Sequence, residues 1–242
     1  MSTRSWDSFL TERDKQVFAA AGFGKRQGFG KRPALLIVDV NYAFCGDKRE
    51  PVLDSIKRWR QSGGEEAWDA LPIVEALIHT AHARELPVIY TTSIRRSDNW
   101  DAGSWAWKNV RSGERPKETN LPGDEIMPQI APSPKDIVIR KQKPSAFFGT
   151  PLMSYLTLLG CDSLIVAGTA TSGCVRATVT DAFSYNLRVT LVEDGVFERS
   201  QASHAVSLFD MNAKYADIAA STEVIAFMNT LPKGMFVLPT GT

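Results

Sequence analysis

Along this chain, short blocks of consecutive apolar residues alternate with longer stretches whose apolar positions recur at helical spacing. The block PALLIVDV at 33–40 predicts a strand, LPIVEALIHTAHAREL at 71–86 an amphipathic helix and PVIYTTS at 87–93 a second strand, which together make a βαβ unit. DIVIRK at 136–141, SLIVAG at 163–168 and LRVTLVED at 187–194 predict further strands, with helices over 150–159, 174–186, 201–212 and 221–229. Strands that read as continuous apolar runs are buried on both faces, and helices between them supply the cover. The expectation is a three-layer αβα, Rossmann-like α/β fold with a central, mostly parallel sheet of about six strands. Residues 1–32 are polar and punctuated by glycine, which predicts an N-terminal arm carrying a short helix; 33–242 is expected to form one domain. Between the second and third strands lies a long segment, 94–135, of the kind that forms binding loops or interfaces.

Charge and composition narrow the function. Lys and Arg (28) nearly balance Asp and Glu (27), leaving a formal charge of +1 and no electrostatic footprint for nucleic acid or an anionic membrane. A small-molecule partner is expected instead. The longest apolar runs, such as ALLIV at 34–38, fall far short of the roughly 20 residues that span a bilayer. MSTRSWDSFLTERDKQ contains no apolar leader segment, so a soluble, cytoplasmic chain is expected. Cys45, Cys161 and Cys174 are odd in number and widely spaced, which speaks against a disulfide framework or a cysteine zinc site and fits a reducing compartment.

In open parallel sheets the ligand crevice lies at the carboxyl ends of the strands. Here that rule selects Asp39 after the first strand, Lys141 at the end of the third, and GTATSGC at 168–174 after the fourth. Cys174 follows a turn and opens a predicted helix, where backbone N–H groups and the helix dipole lower a thiol pKa and make a nucleophile. Asp39 ends an apolar strand and needs a cation to stay ionised there, which Lys141 could supply. Brought together, the Asp would take the thiol proton while the Lys stabilised negative charge. Taken singly, Cys174 also reads as a small core residue, Asp39 as a turn cap and Lys141 as a solvated lysine. Cys45 and Cys161 read as packing residues.

Other apparent motifs do not carry chemistry. GFGKRQGFG precedes the first strand instead of following it, and GTATSGCV has Cys where a phosphate loop needs Lys, so no nucleotide cofactor is expected. His79 and His82 lie three apart on a predicted helix with no third ligand, and read as surface residues. His204 sits on a different segment from Cys174 and has no local signature of a Cys-His pair.

Three segments, RPALLIVDVNYAF, KQKPSAFFGTPL and VAGTATSGCVRATVTDAF, in this order and at strand ends, resemble the isochorismatase-like cysteine hydrolase family. The resemblance extends over roughly residues 20–230. It implies a catalytic triad of Asp39, Lys141 and Cys174, the lysine being Lys141, four before the Ser of SAF, and not Lys143. It also implies a cis peptide between Thr169 and Ala170, and an oxyanion hole formed by the backbone N–H groups of Ala170 and Cys174.

Within the family, the GFGKRPALLIVD entry, the TSGCVRATVTDA run and FERSQASHAVSLFDMNAKYADI resemble the N-carbamoylsarcosine amidase branch. That branch implies that Arg199 holds a substrate carboxylate, for which a guanidinium fork is suited. Thr171, Phe44 and Trp107 are the further expected substrate contacts, and Trp100, Trp105 and Trp107 are expected at the pocket or at a subunit contact. The branch also implies a homotetramer. The nicotinamidase branch binds a metal through Asp and His residues after its first strand; NYAFCGDKRE has no His, so no metal is expected. Isochorismatases proper lack the nucleophilic Cys, so Cys174 argues against ether hydrolysis. The implied reaction is hydrolysis of a linear, non-peptide C–N bond through a thioester, with N-carbamoylsarcosine the first substrate and maleamate, ureidoacrylate or biuret the alternatives. A non-catalytic ligand binder or a redox thiol protein of the same fold is the alternative of a different class.

Overall fold

A computed structural model describes residues 4–108 and 120–241. Among these, the strands are β1 (Pro33–Val38), β2 (Val88–Ser93), β3 (Ile137–Lys141), β4 (Ser163–Thr169), β5 (Arg188–Phe197) and β6 (Asp217–Ala219). They form one six-stranded sheet in the order β3-β2-β1-β4-β5-β6, with every pairing parallel. The helices are α1 (Glu12–Ala20), α2 (Tyr42–Cys45), α3 (Val52–Arg58), α4 (Glu65–Ala83), α5 (Ser104–Lys108), α6 (Leu152–Leu159), α7 (Arg176–Ser184), α8 (Gln201–Lys214) and α9 (Ser221–Thr230). None of the described helices is long and apolar enough to cross a membrane.

The continuous apolar strands have a simple cause: the sheet is covered on both sides. Along β1, Leu35 and Ile37 face a core shared with α4 and α9, while Ala34, Leu36 and Val38 face a second core shared with α6, α7 and α8. Successive side chains point to opposite faces of a strand, so both sets must be apolar.

Several boundaries differ from the sequence expectation. α4 begins at Glu65, ahead of the predicted start at residue 71, so that Pro72 lies inside it; Gly64, at φ 61°, supplies the turn into its first residue. β5 runs on to Phe197 after a register shift against β4, and β6 is too short to leave a pattern of its own. The chain does not enter α7 directly at Cys174: a π-type turn spans Thr171–Val175 first.

Strand order places the crevice. From β1 the chain builds outward through β2 to β3, then returns to the other flank of β1 to lay down β4, β5 and β6. The reversal falls between β1 and β4, and the carboxyl ends of those two strands flank the crevice. Asp39 and the Ala170–Cys174 turn follow these two strands directly.

Candidate active site

Asp39 leaves β1 with φ 54°, the left-handed region that Asp and Asn enter more readily than other side chains. Its N–H donates to the Thr91 carbonyl at 3.1 Å and to Thr91 Oγ1 at 3.2 Å, and the Thr91 hydroxyl donates to Asp39 Oδ1 at 2.7 Å. The other carboxylate oxygen accepts from Lys141 Nζ at 2.6 Å. Both side chains are at least 95% buried, so the pair is screened from water. Lys141 comes from β3, two strands from β1 and therefore about 10 Å away, a gap that a long side chain must bridge. Its ammonium also donates to the Lys143 carbonyl at 3.2 Å. Burial opposes the charge on Lys141, but the Asp39 carboxylate and the neighbouring Cys174 sulfur outweigh it and raise the ammonium pKa. Sequence placed Asp39 and Lys141 at the same crevice, and the structure brings them into direct contact.

Cys174 lies in the π-type turn, partly buried, and its thiol interacts with both the Asp39 carboxylate and the Lys141 ammonium. The thiol pKa does not fall, as a position at a helix start would suggest. Burial pushes it up to about 12, with the Asp39 charge adding to the rise and Lys141 opposing it. The peptide between Thr169 and Ala170 is cis. The Cys174 carbonyl accepts from Thr178 Oγ1 at 2.7 Å, and that same oxygen accepts from the Ala146 N–H at 2.9 Å. One hydroxyl thus joins the SAF loop after β3 to the turn after β4.

The expected substrate contacts are placed less uniformly. Thr171 is buried on the turn, and Phe44 is partly buried on α2 against the α4 core. Trp107 is 84% exposed and Trp100 82% exposed, so neither lines an enclosed surface within this chain. Trp105 instead donates through Nε1 to the Gln142 carbonyl, next to Lys141, at 3.1 Å. Part of the 94–135 segment, residues 109–119, lies outside the described residues. Arg199 Nη2 donates to the Gln61 carbonyl at 2.6 Å and Nη1 lies 3.5 Å from Glu198 Oε1. Its Nε is buried without a hydrogen-bond partner among the described residues. The guanidinium assigned to a substrate carboxylate is thus partly engaged by the protein itself. His82 pairs with Asp136 at 2.8 Å on the far side of the fold. Among the described residues no group of three or more His, Cys, Asp or Glu side chains is arranged to hold a metal ion.

Sequence reasoning passed over Thr91, Glu198 and the role of His204. Glu198 follows a buried strand just as Asp39 does, a placement hidden in the sequence because the strand reads as ending at 194. Its carboxylate accepts from Ser172 N at 3.1 Å and Ser172 Oγ at 2.7 Å. His204 Nδ1 is 2.9 Å from Thr171 Oγ1, and contacts the turn without serving the thiol directly. Burial lowers the His204 pKa, which keeps the imidazole neutral. Behind these two residues an open cleft of about 380 Å³ lies between α4, the end of β5 and the start of α8.

The family model for the isochorismatase domain matches residues 33–223. The chain is 31% identical over 237 residues to N-carbamoylsarcosine amidase of an Arthrobacter species, covering 92% of this chain and 81% of that protein. It is 28% identical over 204 residues to maleamate amidohydrolase of Pseudomonas putida, covering 84% of this chain and 90% of the other. Among solved structures, N-carbamoylsarcosine amidase from Thermoplasma acidophilum superposes with a TM-score of 0.60 at 26% identity, over 78% of this chain and 96% of that one.

Proposed function

Because the chain belongs to the isochorismatase family, we propose that it is a cysteine-dependent amidohydrolase that cleaves a linear, non-peptide C–N bond, with N-carbamoylsarcosine as its first candidate substrate. The observation that carries the reading is the buried 2.6 Å contact between Lys141 and Asp39 with the Cys174 thiol beside both. A thiol whose pKa burial pushes up to about 12 does not ionise on its own near neutral pH, so a base must take its proton during attack. Asp39 is placed to be that base.

The thiolate attacks the carbonyl carbon of the ureido or amide group, and the charge that develops on oxygen is held by the N–H groups of Ala170 and Cys174 with Lys141 nearby. Asp39 passes the thiol proton to the departing nitrogen, which leaves as ammonia. Water, deprotonated by the same carboxylate, then adds to the thioester and restores the thiol. With N-carbamoylsarcosine the acid released is a carbamate that loses carbon dioxide to give sarcosine. Arg199 supports a carboxylate-bearing substrate through the donors that Gln61 and Glu198 leave open. The maleamate amidohydrolase relative supports a second reading, a simple amide bearing a carboxylate, with the same triad. The balanced charge fits an enzyme of small molecules, the odd and widely spaced cysteines support a reducing cytoplasm, and the His-free NYAFCGDKRE segment supports action without a metal or cofactor. The family resemblance supports a homotetramer built on the 33–242 domain, with 1–32 as its arm.

Ammonia release should be measured for the wild type, Cys174→Ala, Lys141→Met and Lys143→Met on N-carbamoylsarcosine, N-carbamoylglycine, maleamate, ureidoacrylate, biuret and nicotinamide. The expected result is activity confined to carboxylate-bearing compounds, abolished in Cys174→Ala, reduced at least ~100-fold in Lys141→Met and nearly intact in Lys143→Met. Activity on biuret alone would remove the carboxylate anchor. Activity that survives in Cys174→Ala would remove the mechanism.

A further inference from the structure

The turn that carries Cys174 is gripped from one side by the connection between β5 and α8. Five side chains, Thr169, Thr171, Ser172, Glu198 and His204, and the Phe197 carbonyl make the grip. The Phe197 carbonyl accepts from the hydroxyls of both Thr169 and Thr171, each at 3.1 Å. The Thr171 hydroxyl also lies 2.9 Å from His204 Nδ1, which brings the imidazole into the same contact. Next along the turn, Ser172 gives both its N–H and its hydroxyl to Glu198 Oε2, while Glu198 Oε1 accepts from the Arg199 N–H at 3.1 Å. The Glu198 side chain is only 2% exposed, so these donors, with Arg199 Nη1 at 3.5 Å, take the place of water around a buried carboxylate.

We propose that Glu198, seconded by His204, is a positioning residue for the nucleophile: it holds the Thr171–Cys174 backbone so that the thiol and the N–H groups around it meet the reacting carbonyl. The proposal rests on Cys174 being the nucleophile. Every group around Glu198 is a donor, so only a carboxylate satisfies the whole set. In Glu198→Gln, either amide orientation turns an N–H against a backbone or side-chain donor. The substitution keeps the volume and removes the grip on one side. Because the turn serves the transition state more than the bound substrate, its loosening lowers kcat far more than it raises KM.

The test combines kinetics with a readout that needs no substrate. Glu198→Gln, Ser172→Ala, their double variant and His204→Asn, which keeps a hydrogen-bonding group near the Nδ1 position, are compared with His204→Leu. Steady-state constants are taken on whichever compound the wild type hydrolyses. Alkylation of Cys174 by iodoacetamide at pH 9 is followed by mass spectrometry, with Cys161 in the same molecule as the internal reference. Glu198→Gln is expected to lower kcat by roughly 10- to 100-fold with KM changed by less than about three-fold, and to change the Cys174 alkylation rate but not that of Cys161. Ser172→Ala is expected to cost less in the Glu198→Gln background than alone, because both act through one contact. His204→Asn should retain most of the activity that His204→Leu loses.

A kcat for Glu198→Gln within about two-fold of wild type, or losses that simply multiply in the double variant, would overturn the proposal. Should Glu198→Gln fail to fold, Ser172→Ala decides alone: unchanged kcat and unchanged Cys174 alkylation would reject the grip. A wild type inactive on every compound would count against the amidohydrolase reading, while the alkylation comparison would still decide the role of Glu198.

Discussion

The chemistry of Cys174 turns on which partner controls its proton. Lys141 and Asp39 pull in opposite directions, and burial sides with Asp39, so the resting thiol pKa is pushed up to about 12. Alkylation of Cys174 should therefore climb about ten-fold per pH unit from pH 7 toward pH 11, with no plateau near the ordinary thiol value of about 8.5. Site-resolved mass spectrometry after timed iodoacetamide pulses reads this directly. A plateau below pH 9 would mean that Lys141 stabilises a standing thiolate and that Asp39 is not needed as base. The same shift has a consequence for stability. A native thiol with a raised pKa keeps a proton that the unfolded chain loses, so its contribution is intact below the unfolded pKa of about 8.5 and is lost as pH rises toward 12. The carboxylate, the lysine and the thiol were all legible in the sequence, because each ends or follows an apolar strand where a polar residue needs a reason. The direction of the thiol shift was not. The helix-start argument counted a dipole and left out the desolvation that a crevice between two packed layers imposes.

Strands β1 and β4 must approach closely at their carboxyl ends for Asp39 and the Cys174 turn to meet, and one residue between them allows it. Gly168 has φ 108°, and a Cβ there would lie 2.2 Å from the Val38 carbonyl oxygen and 2.8 Å from the Val38 nitrogen. Both contacts are with backbone that leads straight into Asp39, so no side-chain adjustment relieves them. Gly168→Ala is expected to destabilise the fold by on the order of 3 kcal/mol, a fall in Tm of roughly 6–12 °C, and to cut the activity of the molecules that remain folded by at least ten-fold as Asp39 is displaced. Thermal melts and active-site-normalised kinetics check the two parts separately; an unchanged Tm with unchanged kcat would show that the strands part at no cost. At this scale the sequence was readable wherever an element was long enough to show a period. Five strands and the helices α4, α6, α7, α8 and α9 followed from blocks and repeats. The π-type turn did not, since TSGCV carries no period, and β5 was read too short because the polar Glu193 and Asp194 and then Gly195 interrupt its apolar run before Val196 and Phe197 resume it.

For the molecule as a whole, the open question is what the polar segment ahead of β1 contributes. Composition alone marks 1–32 as an arm; α1 buries none of its residues, but Trp6 ahead of it is buried in the core shared with α6, α7 and α8. The stretch after α1 is tied down by two acidic residues at the opposite end of the sheet from Asp39, Lys141 and Cys174. Asp217, at the start of β6 and 5% exposed, accepts from Gly28 N at 2.7 Å and from Gln27 N at 3.0 Å. Asp162, just ahead of β4, accepts from Arg32 N at 2.8 Å and Lys31 N at 2.9 Å. Neither tie was legible beforehand, because the donors are backbone groups in a glycine-punctuated run that has no side-chain pattern. Asp217→Ala leaves those part-buried N–H groups without their acceptor, which costs about 2–3 kcal/mol, a fall in Tm of roughly 4–12 °C. Asp217→Asn keeps one acceptor and should fall between wild type and Ala. Since the start of β6 lies at the amino ends of the strands and Asp39, Lys141 and Cys174 at the carboxyl ends, kcat per folded molecule at 25 °C should not change in either variant. A loss of kcat with an unchanged Tm would reverse that assignment: the segment would then act on the site, most directly by setting how copies of the chain assemble around it, and size-exclusion chromatography of Asp217→Ala beside the wild type would show the change in assembly.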